Sequence, residues 1–125
     1  MKKTLYFILI LFLFSCEPRS DYNHIIINNC KEAIKVSYAV TIYPNKESTV
    51  IFEANTQQLI FSKATLDSSV NEDRAALGFL RITITKGQDT SKVNYLDKNL
   101  WIMEKISRNE ANCYLSVNQN DFESE

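Results

Sequence analysis

From Ile34 to Ile42 the chain keeps a strict period of two: Ile34, Val36, Tyr38, Val40 and Ile42 alternate with Lys35, Ser37, Ala39 and Thr41. Successive side chains of a β-strand point to opposite faces, so this run describes a long strand with one covered face and one wet face. Tyr43-Pro44-Asn45-Lys46 ends it, because proline cannot donate to a ladder. His24 to Cys30 is a β-rich run that should be the first strand, and shorter in-phase runs follow at Ser48 to Glu53, Gln57 to Ser62, Phe79 to Lys86, Leu100 to Ser107 and Ala111 to Asn118. Val93 to Leu96 adds a short edge strand. Polar and turn-forming residues separate the runs, as in Ala54-Asn55-Thr56, Gly87-Gln88-Asp89 and Arg108-Asn109-Glu110. The runs on either side of Ala54-Asn55-Thr56 are placed to pair as a hairpin.

One stretch breaks the period. Lys63 to Gly78 has no alternation, and Ser69 with Glu72 three residues on has the spacing of a capping box. A helix of one or two turns ending at Gly78 is expected there, crossing between sheets. Seven or eight short strands, antiparallel where adjacent, with no βα rhythm and no repeat, bury their apolar faces most simply as an all-β antiparallel sandwich. The size suits an immunoglobulin-like or transthyretin-like sandwich over residues 23–119, with an acidic tail at 120–125 in which Phe122 is available to pack back. A small closed barrel is the alternative.

The N-terminus has a different character. Lys2 and Lys3 precede a run from Thr4 to Phe14 that is almost wholly apolar, and Glu17-Pro18-Arg19 then turns polar. A charged start, a short apolar core and a small residue describe a secretory signal peptide over residues 1–15. The apolar run is too short to span a bilayer as a helix. Leu13-Phe14-Ser15-Cys16 resembles the lipobox of bacterial lipoproteins. That resemblance implies diacylglycerol on the Cys16 thiol, cleavage just before it and acylation of the new amino group. Residues 16–22 would then be a lipid-proximal tether. The asparagine- and lysine-rich, glycine-poor chain also looks like the many small lipoproteins of the Bacteroidetes, which implies an outer-membrane location.

Cleavage removes Lys2 and Lys3 and leaves 12 basic against 15 acidic side chains, a net charge of −3. Such a domain has no electrostatic footprint for nucleic acid. With Cys16 used for lipid, Cys30 and Cys113 are the remaining cysteines, and an exported domain favours their pairing. A bridge closing a loop of about 83 residues would contribute of order 4 kcal/mol in the chain-entropy account.

Catalytic chemistry has few candidates. His24 is the single histidine, read as a strand-edge residue with partial exposure. Asp67, Glu72, Asp73 and Asp89 fall in loops or at the helix start, where solvation explains them. Two glycines cannot build a phosphate-binding loop, and zinc lacks a four-residue donor set. No catalytic residue, metal or cofactor is therefore expected. Tyr95 and Trp101 flank a polar turn near an expected edge and are the candidate partner contact, with a core role for Trp101 as the rival. Together these readings describe a membrane-anchored envelope lipoprotein with a non-catalytic binding or scaffolding sandwich, whose partners are the membrane and an envelope protein or glycan. An accessory lipoprotein of a secretion or conjugation machine is one alternative, and a hydrolase or inhibitor the other.

Overall fold

The computed structural model describes residues 18–123. The signal-peptide residues, Cys16 and Glu17 lie outside the described residues, as do the last two residues of the tail. Eight strands follow in order: β1 (Ser20–Asn28), β2 (Ile34–Val40), β3 (Ser48–Phe52), β4 (Gln57–Thr65), β5 (Phe79–Lys86), β6 (Asp89–Thr90), β7 (Trp101–Ser107) and β8 (Glu110–Val117). They form two four-stranded sheets, β4-β1-β8-β7 and β3-β2-β5-β6. The sheets pack on one core that includes Tyr22, Ile26, Ile34, Val36, Phe52, Ile84, Trp101, Leu115 and Val117. The expected all-β sandwich is thus the fold, and a closed barrel is not.

All strand pairs are antiparallel except β1 with β8, which run parallel from Asp21 opposite Glu110 to Asn28 opposite Val117. The first and last strands therefore occupy the centre of one sheet. Both edges of β1 are hydrogen-bonded, and this extends the strand back to Ser20, into the expected tether. The face that β1 turns inward is Ser20, Tyr22, His24, Ile26 and Asn28, all buried. Its most apolar residues besides Ile26, namely Ile25 and Ile27, point outward and are half-buried.

The polar members of that inward set have partners. The Asn28 amide donates to the carbonyls of Glu32, Phe52 and Glu53 at 2.9, 3.2 and 3.1 Å, and its oxygen accepts from the Cys30 N–H at 2.9 Å. One buried side chain thus ties β1 to the turn after it and to the end of β3, and satisfaction of its groups is what makes its burial tolerable. At the other end the Ser20 hydroxyl donates to the Asp67 carbonyl at 2.8 Å. The Tyr22 hydroxyl accepts from the Asn71 N–H at 2.8 Å and donates to the Asp67 carboxylate at 3.3 Å. These bonds fasten the 66–77 loop over that end of the sandwich, with Val70 and Ala75 buried beneath it.

Several local expectations are corrected. β3 and β4 are not a hairpin: β3 pairs with β2 and β4 with β1, so the turn at Asn55, with φ of 58°, crosses between sheets. The expected helix is a single 3-10 turn at Glu72–Arg74, capped by the Asn71 side chain rather than by Ser69. Val93 to Leu96 is not a strand; β5 pairs instead with Asp89–Thr90 across the Gly87 turn. In β7 the covered residues are Trp101 and Met103, while Ile102 and Ile106 are exposed. Phe122 does pack back: a 3-10 turn at Gln119–Phe122 brings its ring to 5.0 Å from the Nζ of the buried Lys86.

Gly78 has a definite reason to be glycine. Its φ is +97°, and a Cβ there would sit 2.9 Å from the Phe61 ring. Both the backbone conformation and the close approach exclude a larger residue.

Candidate functional site

His24 lies in the middle of β1 and points into the core, fully buried rather than at a strand edge. Three aromatic rings enclose it. Phe61 from β4 stacks at 5.8 Å, and Phe79 from β5 and Trp101 from β7 meet it edge-on at 4.9 and 5.3 Å. The Phe61 carbonyl lies 3.3 Å from Nδ1, which places the proton on that nitrogen. Nε2 then has no hydrogen-bond partner among the described residues. Desolvation lowers the imidazole pKa to about 4, against the smaller opposing effect of the Phe61 and Ala75 carbonyls. The ring is thus a neutral member of an aromatic cluster, closed to any substrate.

The candidate partner residues are also interior. Trp101 is 5% exposed and Tyr95 is 2% exposed. The Trp101 indole stacks on Phe79 at 5.7 Å, and its Nε1–H donates to the Tyr95 carbonyl at 2.8 Å. The Tyr95 hydroxyl lies 2.6 Å from the Ser91 hydroxyl and donates to the Asp121 carboxylate at 3.0 Å. Burial pushes the Tyr95 phenol well above its ordinary value. Both residues fix the 91–100 loop to the core, Tyr95 as an interior residue and Trp101 with only a small rim left at the surface.

Cys30 and Cys113 are free and buried, so the expected disulfide is corrected. Cys113 stands opposite His24 in the parallel register, whereas the Cys30 Sγ reaches the carbonyl of Val117, four residues further along β8. Four residues of strand span about 13 Å, well beyond the roughly 7 Å between Cα atoms that a disulfide tolerates. Desolvation raises both thiol pKa values, Cys113 to about 11. The folded protein is therefore expected to resist alkylation at both thiols, and to take up reagent at both once unfolded in guanidinium. Rapid labelling of the native state, or a mass two protons short of the reduced form, would contradict this arrangement.

The loop carboxylates do not converge. Asp67 pairs with Arg74 at 3.1 Å, and Asp73 with Lys98 at 2.8 Å. The Lys98 hydrogen bond and charge hold the Asp73 carboxyl below its usual range. Asp89 belongs to the β5–β6 pair. Among the described residues no group of three or more histidine, cysteine or carboxylate side chains is placed to hold a metal.

What the sandwich does present is an apolar row on the outer face of the β4-β1-β8-β7 sheet. Register puts Leu59 opposite Ile25, Ile25 opposite Tyr114, and Tyr114 opposite Ile102, one residue from each strand. Leu59 and Ile102 are 52% and 69% exposed. Beside it runs a polar row bonded across strands: Ser62 donates to Asn23 at 2.9 Å and Asn23 to Asn112 at 3.1 Å. At the β7 edge the apolar row meets a cleft of about 370 Å³ lined by Glu72, Asp73, Lys98, Asn99 and Trp101 to Met103. Sequence reasoning missed this row because outward Ile25 and Ile102 look like core residues until the register is known. No family model, no curated protein and no solved structure matches the chain.

Proposed function

We propose that the chain is a lipid-anchored envelope protein whose sandwich serves binding or scaffolding. The observation that carries this reading is the Leu13-Phe14-Ser15-Cys16 ending of the apolar N-terminal run, followed within four residues by the start of β1. Cys16 then carries the lipid, and the outer apolar row through Leu59, Ile25, Tyr114 and Ile102 is the surface offered to an envelope partner. Two or three acyl chains hold a domain at a bilayer where one does so only marginally. The enclosed His24, Trp101 and Tyr95 support the fold in this reading and take no part in chemistry.

Replacing Cys16 by serine tests it. The Cys16→Ser protein is expected to lose incorporation of labelled palmitate completely and to leave the membrane fraction. Undiminished labelling and unchanged fractionation would refute the anchor. Aspartate at Ile102 addresses the binding surface. Because that side chain is outside the core, the variant is expected to melt within about 0.5 kcal/mol of the parent, as surface substitutions do. Loss of an envelope partner with the fold intact would place the contact on this face; a cooperative collapse would show Ile102 to be structural.

A further inference from the structure

The anchor and the fold together fix which end of the sandwich faces the lipid. Three residues, Glu17, Pro18 and Arg19, separate Cys16 from Ser20, where β1 begins. Even fully extended, that segment spans at most about 14 Å. Ser20 is itself immobilised: it pairs with Thr65 of β4, and its hydroxyl bonds the Asp67 carbonyl. The Asp21 N–H donates to the Asn109 carbonyl at 2.8 Å, and the Asn109 amide donates to the Ser68 carbonyl at 2.8 Å. The start of β1, the loop after β4 and the β7–β8 turn therefore form one braced surface, and a lipid on Cys16 cannot lie far from it.

That surface carries features suited to a bilayer. Leu66, the most exposed large apolar residue among those described, is 73% exposed on the loop, and Ile106 is 52% exposed beside the β7–β8 turn. Arg108 at the turn and Lys105 before it are exposed and have no carboxylate partner among the described residues. Apolar tips flanked by cations match the order of a membrane interface, with acyl chains beneath and phosphates above.

We propose that this end, with Leu66 and Ile106 at its tip and Lys105 and Arg108 at its rim, docks on the phospholipid surface into which the Cys16 lipid inserts. The proposal rests on the lipoprotein reading and adds an orientation. The anchored domain stands with β1 rising from the bilayer, so the Asn28 end and the Lys31 turn point away from it. The outer apolar row then runs across the standing sandwich and stays open to a partner.

The full-length protein, extracted in detergent and reconstituted into phosphatidylethanolamine–phosphatidylglycerol vesicles, gives the test. Leu66→Cys and, separately, Lys31→Cys carry an environment-sensitive dye; the native thiols at 30 and 113 are buried and escape labelling. Nitroxide-bearing lipid is expected to quench the dye at 66 at least about threefold more than at 31, as insertion to the headgroup boundary requires. Ile106→Cys provides the same measurement should a label at 66 disturb the loop. Mass spectrometry of the N-terminal peptide is read in parallel. An acylated Cys16 with equal quenching at the two ends overturns the docking alone. An unacylated Cys16 overturns the anchor and the docking with it.

Discussion

Trp101→Ala is expected to lose a large share of the stability of the domain. The indole is nearly fully buried, stacks on Phe79, meets His24 edge-on and donates to the Tyr95 carbonyl. Truncating a buried tryptophan costs about 3–5 kcal/mol through lost transfer energy and the cavity left behind. A small domain commonly has only about 5–15 kcal/mol in total. The Tyr95 carbonyl also loses its donor, which adds to the cost if water cannot reach it. Thermal melting followed by circular dichroism should show a fall of more than about 10 °C, given several degrees per kcal/mol for a domain of this size. Trp101→Phe keeps a ring against Phe79 and should lose distinctly less. A Trp101→Ala transition within a degree or two of the parent would mean that the ring is not core.

Acid should weaken the fold through His24. The buried imidazole has a pKa of about 4, against 6.5 for a solvated histidine. The unfolded chain therefore takes up its proton first as pH falls. The stability linked to this group is complete above pH 6.5, declines between 6.5 and 4, and changes no further below that. At about 1.4 kcal/mol per pKa unit the whole loss is about 3 kcal/mol. Asp73, held below its usual range by Lys98, acts in the same direction but at lower pH, below the window of His24. Urea midpoints at pH 7, 5.5 and 4.5 measure the effect. His24→Phe, which places a non-titrating ring among Phe61, Phe79 and Trp101, should flatten the dependence between pH 4.5 and 6.5. A Phe variant with the same slope as the parent would assign the acid sensitivity to other groups.

How far the sequence reveals this molecule differs from strand to strand. The period of two located six of the eight strands, because backbone pleating imposes that period whatever the neighbours are, and a β-rich run located β1. In β8 it also chose the correct face: Cys113, Leu115 and Val117 are buried as their spacing implies. In β1 hydrophobicity alone is misleading. Ser20, His24 and Asn28 go inward because carbonyls of distant segments wait for their polar groups, and Ile25 and Ile27 go outward. Register irregularities leave Ile60 of β4, Leu80 of β5 and Ile106 of β7 without a cross-strand partner, and nothing in residue type marks them. The hairpin expectation for β3 and β4 failed because adjacency in sequence does not decide which sheet a strand joins. The outer apolar row depends on four strands in register, so it became visible only once all the pairings were known. The disulfide expectation rested on cysteine number and on placement in the first and last strands; the Cys30 thiol instead lies at the Val117 carbonyl, four residues along β8 from Cys113.

The position of β1 also orders events in time. Both of its partners follow it in the chain: β4 after some 30 residues of intervening chain and β8 much later, with paired residues such as Asn23 and Asn112 lying 89 positions apart. Long-range pairing of this kind makes folding slow, because the chain must close large loops before contacts repay the entropy. The β4-β1-β8-β7 sheet cannot assemble around its middle until β8 has been made. That central pairing is therefore expected to be a late event in folding, however early β1 itself is made.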